Sequence, residues 1–398
     1  MSKIKVLVIG NEFQGVGYYR INAPYLSIYD PNVEIKYLPI SDFNFKFSEE
    51  ILKDVNVIVY HKYLPLKNEL ELKEFIRLRQ KYGFKIVYDI DDYWEIDKSH
   101  PNYDIKEIKN RTEQTVKNIL FADYVTTTTP IFANKIKELN KNVFVLENAV
   151  NTKEQQWIPN KIKSDKTRFL WGGGVTHLQD LELLKLSLKS VDSDFLNKTQ
   201  LYICGYDLRV KDTKTDKLTI SPPQSNVWTE FEKIFTNNYK SIKNIEYLKW
   251  LKEYTDNGQN LYGYNEKFKD EFYQRRWSKP IFTYGTMYNE SDVALAPLND
   301  SFFNSMKSQL KIIESGVHKC PVIASKNLPY TLDVIDGKNG FLIDTYNKSQ
   351  WYDKMKFFVD NPNAVIDMGE SLHELVMEKY TLEKVNEKRI QFLKSISN

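Results

Sequence analysis

The chain is short of cysteine, of long apolar runs and of net charge, and each shortage excludes something. Cys204 and Cys320 are the only 2 cysteines in 398 residues and lie far apart. They form neither a metal-binding spacing nor a disulfide framework, which fits a reducing compartment. No window reaches the roughly 18 apolar residues of a membrane span. The opening MSKIKVLVIGNEF has one short apolar run that ends in glycine and charge. It reads as a first strand and not as a signal peptide. The expectation is a cytoplasmic protein without a membrane span. A net charge of +3 is too near zero to argue for nucleic acid. What is plentiful is aromatic side chain, at 14% of the chain. That suits stacking on sugars or bases, and it suits a large core equally well. The length predicts two domains.

The most informative stretch runs from Asp292 to Ser325. Val293 to Pro297 has the character of a buried strand, Asn299 to Asn304 is loop chemistry, and Lys307 to Ser315 fits a helix. Pro321 to Ala324 is the next buried strand. Ser305 and Ser308 are candidate N-caps. A helix start offers unpaired N–H groups and partial positive charge, which suits a phosphate. Lys307 at that end is disfavoured by the dipole unless an anion binds between them. Glu314 lies roughly 9 Å further along the axis, where its carboxylate can accept from a ribose diol. Lys307, Lys311 and Glu314 equally fit a solvated, ion-paired helix face.

The segment from Glu314 through Pro321 to Ser325 resembles the end of the donor-site signature of retaining GT-B glycosyltransferases of the family 4 type. There a helix glutamate is followed seven residues later by proline and then a strand. Asp292 and Pro297 resemble the preceding part of that signature. Its earlier glutamate, which holds donor-sugar hydroxyls, is replaced here by Met306. Asn304, Lys307 and Ser308 are the candidates to take over that end of the site.

Read in order, Lys5 to Ile9 is a buried parallel-type strand followed by a glycine loop. Gly15 and Gly17 let the backbone approach a ligand ahead of a helix from Tyr18. A dinucleotide fingerprint would place a third glycine near position 20, where Arg20 stands. The loop better resembles the first loop of GT-B enzymes, with Arg20 either facing a phosphate or lying on the surface. Val33 to Leu38 and Asp54 to Tyr60 are further strands, and His61 follows the latter. Residues at the carboxyl ends of parallel strands line the ligand crevice, so His61 is a site candidate, against an ordinary structural role. Lys85 to Ile90 runs into Asp89, Asp91 and Asp92. Three carboxylates in four residues repel one another unless a metal, acceptor hydroxyls or helix capping compensates. Tyr93 and Trp94 beside them could stack on a sugar.

Thr167 to Trp171 opens a second strand–helix unit. Gly173 and Gly174 in its first loop can present N–H groups to an anion, with His177 near the diphosphate. A flexible glycine turn is the plain alternative. Gly205 to Lys279 is too long for one connection and reads as a helical insertion. Ile281 to Tyr284 resembles the strand bearing the nucleobase contact, with Tyr284 as a stacking candidate. The final helix is expected to pack back on the first domain.

The implied fold is α/β of GT-B architecture: two Rossmann-like doubly wound domains facing across a cleft. The boundaries expected are 1-152 with a crossover helix at 381-398, and 165-380 with an insertion at about 206-279. The implied function is a retaining, metal-independent glycosyltransferase. A UDP- or GDP-sugar is the co-substrate, no other cofactor is required, and no metal site is expected. His61, Asp91 and Asp92 are the catalytic candidates on the acceptor side. The acceptor is a glycan, a small molecule or modified DNA. The rival readings are a GT-B epimerase or phosphorylase, and a non-catalytic carbohydrate-binding protein.

Overall fold

The computed structural model describes residues 3–10, 15–39, 46–62, 64–98, 103–188, 191–206, 209–211, 218–220, 227–235 and 272–397. The chain divides into two compact units. The first comprises Met1–Glu154, Ser301–Ile313 and Val376–Asn398; the second comprises Gln155–Asp300 and Glu314–Leu375.

The first unit is built on β1 (Ile4–Gly10), β2 (Val33–Pro39), β3 (Val57–His61), β4 (Lys85–Asp89), β5 (Tyr124–Thr127) and β6 (Val143–Val145). They form one sheet in the order β2-β1-β3-β4-β5-β6, every pairing parallel. The central strands are apolar on both faces because both are covered. Leu7, Ile9, Ile58 and Ile86 pack with Phe75 and Leu78 of the helix Glu69–Tyr82. Val6, Val8, Val57, Val59 and Val87 face the other way, onto Ile21, Tyr25 and Phe392, Leu393 and Ile396 of the helix Leu382–Ile396. The final helix therefore belongs to the first unit. The Glu69–Tyr82 helix starts where Asn68 accepts from the N–H of Glu71, and ends at Gly83 in the left-handed region.

The segment Ser301–Ile313 departs from the sequence reading, which places it in the second domain. Phe303 and Met306 sit in the same hydrophobic cluster as Phe132 and Tyr93, so this excursion is anchored in the first unit. Its helices also differ. Ser301 caps a short helix, Phe302–Ser305, through the N–H of Asn304. The next helix runs Leu310–Val317 and not from Lys307. The N–H of Lys307 still bonds back to the carbonyl of Asn304, and the Gln309 carbonyl takes the N–H of Ile313. Ser305 and Ser308 are thus not the caps expected of them.

The second unit contains β7 (Thr167–Gly172), β8 (Thr199–Tyr206), an antiparallel pair β9 (Arg209–Lys211) and β10 (Leu218–Ile220), β11 (Tyr273–Trp277), β12 (Val293–Ala296), β13 (Val322–Ser325) and β14 (Gly340–Ile343). Its main sheet is parallel, in the order β11-β8-β7-β12-β13-β14. Arg168 clamps β7 to β12, donating from Nε and Nη2 to the two oxygens of Asp292 at 3.0 and 2.9 Å. Asp292 therefore serves the sheet. Two expectations are corrected here. Tyr273–Trp277 is an edge strand of this sheet, so it is not part of an insertion running to Lys279. Residues 281–284 form no strand; Tyr284–Glu290 is a 3-10 helix that follows a turn. Apart from the end of β8, the strand Tyr273–Trp277 and the residues beside it, the expected insertion is described at 209–211, 218–220 and 227–235, which holds the helix Trp228–Phe235; Trp250 lies outside the described residues. Among the described residues no helix is long and apolar enough to cross a membrane.

Candidate active site

In the first unit the carboxyl edges of β3 and β4 bring the expected residues together. His61 ends β3 and is in register with Asp89. Lys62 follows with φ +67°, a conformation that side chains other than glycine rarely adopt. Its carbonyl is held by Asn118 Nδ2 at 2.8 Å. A strained residue fixed in this way at a strand end is a common companion of functional sites.

The three carboxylates meet three different compensations. Asp89 is 2% exposed and takes a two-pronged bond from Arg20, Nε to Oδ1 at 3.0 Å and Nη2 to Oδ2 at 2.7 Å. Thr126 Oγ1 adds a third bond at 2.7 Å. Asp91 lies 3.0 Å from His61 Nε2; a carboxylate only accepts, so that nitrogen carries the proton. Burial raises the Asp91 carboxyl, but the His61 bond and the charges of His61 and Arg20 outweigh it and hold it below the usual aspartate range. Asp92 keeps an exposed side chain. Desolvation by its neighbours, with the Asp91 charge second, pushes its carboxyl up to about 6, while Lys307 pulls the other way.

A raised carboxyl is protonated more readily in the folded chain than in the unfolded one. Asp92 therefore lowers stability as pH rises from the ordinary aspartate value, 3.8, to about 6. Asp92→Asn removes that term. Its stability relative to the parent, read from urea midpoints, is expected to increase between those two pH values. A difference independent of pH would remove the shift.

Arg20 is neither a surface arginine nor open to a phosphate: it is 1% exposed and makes four hydrogen bonds inside the fold. Besides Asp89 it donates to the carbonyl of Leu146 at 2.6 Å and to Asn148 Oδ1 at 3.2 Å. Asn148 in turn donates to Ser308 Oγ at 2.9 Å. Gly15 has φ +48°, a glycine conformation, and Gly17 is buried; Gln14 and the three residues before it lie outside the described residues. Asn304 is buried, and the Lys307 amino group lies 5.2 Å from the Phe303 ring centre. Tyr93 is 9% exposed and packs edge-on against Phe302, with Trp94 beside it. Tyr93 therefore serves the core, and Trp94 lies half-buried against it.

In the second unit two clusters stand out. The loop after β7 does not offer all its N–H groups to an anion, because Gly173 N–H bonds to the Cys204 carbonyl at 3.0 Å. Gly205, at φ +121°, makes that approach possible: a Cβ there would fall 1.9 Å from the Gly173 oxygen. Gly174 precedes the turn Val175–His177. His177 Nδ1 lies 2.7 Å from Asp180 Oδ2. The other oxygen of Asp180 accepts from the N–H and Nδ2 of Asn299, both at 2.8 Å. A carboxylate on Nδ1 places the proton there, so Nε2 accepts when the ring is neutral and donates when it is charged. The sequence reading missed Asp180; its i,i+3 spacing from His177 was the available signal.

The other cluster surrounds Glu314, which is 3% exposed. Tyr288 donates its hydroxyl to Glu314 Oε2 at 3.1 Å. Burial first, and the Glu314 charge second, hold the phenols of Tyr284 and Tyr288 well above the usual tyrosine value; for Tyr330 burial leads, followed by Asp180 and Glu314. All three stay protonated. Glu314 is thus a buried carboxylate and not part of a solvated, ion-paired face. Tyr284 is half-buried within this cluster. Among the described residues no group of three or more His, Cys, Asp or Glu side chains is arranged to hold a metal ion.

No family model matches the chain. A poly(ribitol-phosphate) alpha-N-acetylglucosaminyltransferase of Staphylococcus aureus is 33% identical over 87 residues, 22% of this chain and 18% of that protein. Among solved structures, S. aureus TarM, in a variant bound to fondaparinux, alpha-GlcNAc-glycerol and UDP, aligns with TM-score 0.52 and 15% identity. That alignment covers 86% of this chain and 55% of TarM, so the chain spans little more than half the length of that relative. The sucrose-phosphate synthase of Thermosynechococcus elongatus aligns over 99% of both chains, with TM-score 0.58 and 13% identity. Anabaena HepE bound to UDP gives TM-score 0.60 and 9% identity over 99% of this chain and 100% of its own. With two parallel six-stranded sheets and these neighbours, the chain has the α/β fold of the GT-B glycosyltransferases.

Proposed function

We propose that the chain is a retaining glycosyltransferase that moves a sugar from a nucleotide-sugar, UDP- or GDP-linked, to a hydroxyl acceptor without a metal. The observation that carries the reading is Glu314: a buried carboxylate ringed by protonated phenols, on the helix where the family 4 type places its ribose-binding glutamate. A carboxylate so placed accepts two hydrogen bonds from a vicinal diol. His177, oriented by Asp180, and Gly174 would meet the diphosphate, whose growing negative charge is stabilised by fixed donors. Tyr284 would border the nucleoside. On the acceptor side, the His61–Asp91 pair holds a proton at Nε2, and Asp92, raised to about 6, is the carboxyl best placed in pKa to exchange one. Lys307, Ser308 and Asn304 belong to the first unit and are assigned to that side. Arg20 is withdrawn from the donor set, because it is buried and its guanidinium is bound to Asp89, Leu146 and Asn148.

The relatives support a nucleotide-sugar donor and a glycan-type acceptor: one is named for poly(ribitol-phosphate), and two were crystallised with UDP. They lend nothing to a DNA acceptor. A thermal-shift screen against UDP-, GDP-, ADP- and TDP-sugars tests the reading, since a ligand that binds only the folded state raises its melting point. One nucleotide class is expected to raise it by several degrees; no shift with any of them would refute the assignment. Incubating the responding sugar nucleotide without an acceptor separates an epimerase, which would convert the sugar itself.

A further inference from the structure

Glutamate is a flexible side chain, and a carboxylate that must meet two hydroxyls at once has to be held still. The second unit contains the means. The 3-10 helix Tyr284–Glu290 is fastened to a second short 3-10 helix, Gln155–Trp157, by Gly285 N–H donating to Gln156 Oε1 at 3.1 Å. From it Tyr288 reaches Glu314 with its hydroxyl, while its ring lies flat on the His318 imidazole, centres 5.5 Å apart and planes 13° from parallel. His318 follows Glu314 by four residues in sequence and is fully buried. Its Nδ1 is 3.0 Å from Asn289 Oδ1, and its ring centre is 5.8 Å from that of Trp157. The Tyr288 ring is therefore fixed on its face and aimed by its own helix.

We infer that Tyr288, backed by His318, is a positioning residue that sets the Glu314 carboxylate for the ribose diol of a nucleoside diphosphate. This rests on the donor reading above. The protonation states agree with it. Burial holds the Tyr288 phenol protonated, so it acts on the carboxylate only as a donor. Burial also pushes the His318 ring down to about 3, so it stays neutral near pH 7 and stacks without a charge. The sequence signal was slight: a tyrosine four residues after Tyr284, and a histidine four after Glu314.

The test compares a nucleoside diphosphate with its 2′-deoxy form, UDP against 2′-deoxy-UDP first and the guanine pair if the screen selects it. The parent protein is expected to prefer the ribose form by about tenfold, the value of one hydrogen bond to a charged group. In Tyr288→Phe, which removes one hydroxyl and keeps the ring, that preference is expected to fall to about twofold while the unliganded melting point changes little. His318→Phe keeps a flat neutral face and retains the preference; His318→Ala frees the ring and lowers it. If Tyr288→Phe or His318→Ala keeps the full preference while Glu314→Ala loses it, the positioning role is overturned and the donor reading stands. If Glu314→Ala keeps the preference as well, the donor reading itself fails. Should Tyr288→Phe not fold, the two His318 variants decide.

Discussion

Glu314→Ala is expected to weaken binding of the responding nucleoside diphosphate by roughly 100-fold or more while the protein still folds. Two hydrogen bonds to a charged group are lost, each about 1.5–3 kcal/mol, and about 1.4 kcal/mol is tenfold. The carboxylate is buried and accepts from the Tyr288 hydroxyl at 3.1 Å; removing it gives up that bond inside the fold as well as the two to the ligand. Calorimetric titration with the nucleotide gives the affinity, and circular dichroism with a melting curve gives the fold. An affinity within about threefold of the parent would take Glu314 out of the site. Glu314→Gln is the finer probe, because it keeps the shape and removes the charge.

Arg20→Ala carries the largest expected effect on stability. The guanidinium and Asp89 are 1% and 2% exposed, and Arg20 also ties the chain after β6 to the sheet through Leu146 and Asn148. Removing one partner leaves Asp89 buried with an unpaired charge, Thr126 being its remaining side-chain bond among the described residues, which costs about 3–5 kcal/mol. The urea midpoint should fall accordingly with an unchanged slope. The competing assignment, an arginine that holds a phosphate, predicts the reverse: weaker nucleotide binding at unchanged stability. A fall of less than about 1 kcal/mol would show that the buried pair contributes little.

The strands were readable because parallel strands buried on both faces are apolar runs of a characteristic length, such as Lys5 to Ile9 and Val293 to Pro297. The long helices were readable from their period and ends, as at Asn68 and Gly83. The edge strand Tyr273–Trp277 was not, because TyrGlnArgArgTrp has no apolar run. Arg276 is accommodated by partners distant in sequence: it lies over the Tyr202 ring and 3.3 Å from Glu290. The short helix Phe302–Ser305 was read as a loop for a similar reason. One turn carries no period, and Phe303 is helical and buried because the first unit's core receives it.

By itself, then, the sequence determined the two strand–helix repeats and the segment holding Glu314, because burial pattern and local spacing are properties of neighbours along the chain. It also flagged His61, Asp91, Asp92 and His177 by their places after strands. Tertiary structure alone decided what each charge faces. It turned Arg20 inward to Asp89, joined His61 to Asp91 and His177 to Asp180, moved Lys307 and Ser308 to the first unit, and set Tyr288 against Glu314. A charged side chain reads the same in sequence whether solvent, a counter-charge or a ligand satisfies it; only the folded chain fixes which group arrives within 3 Å.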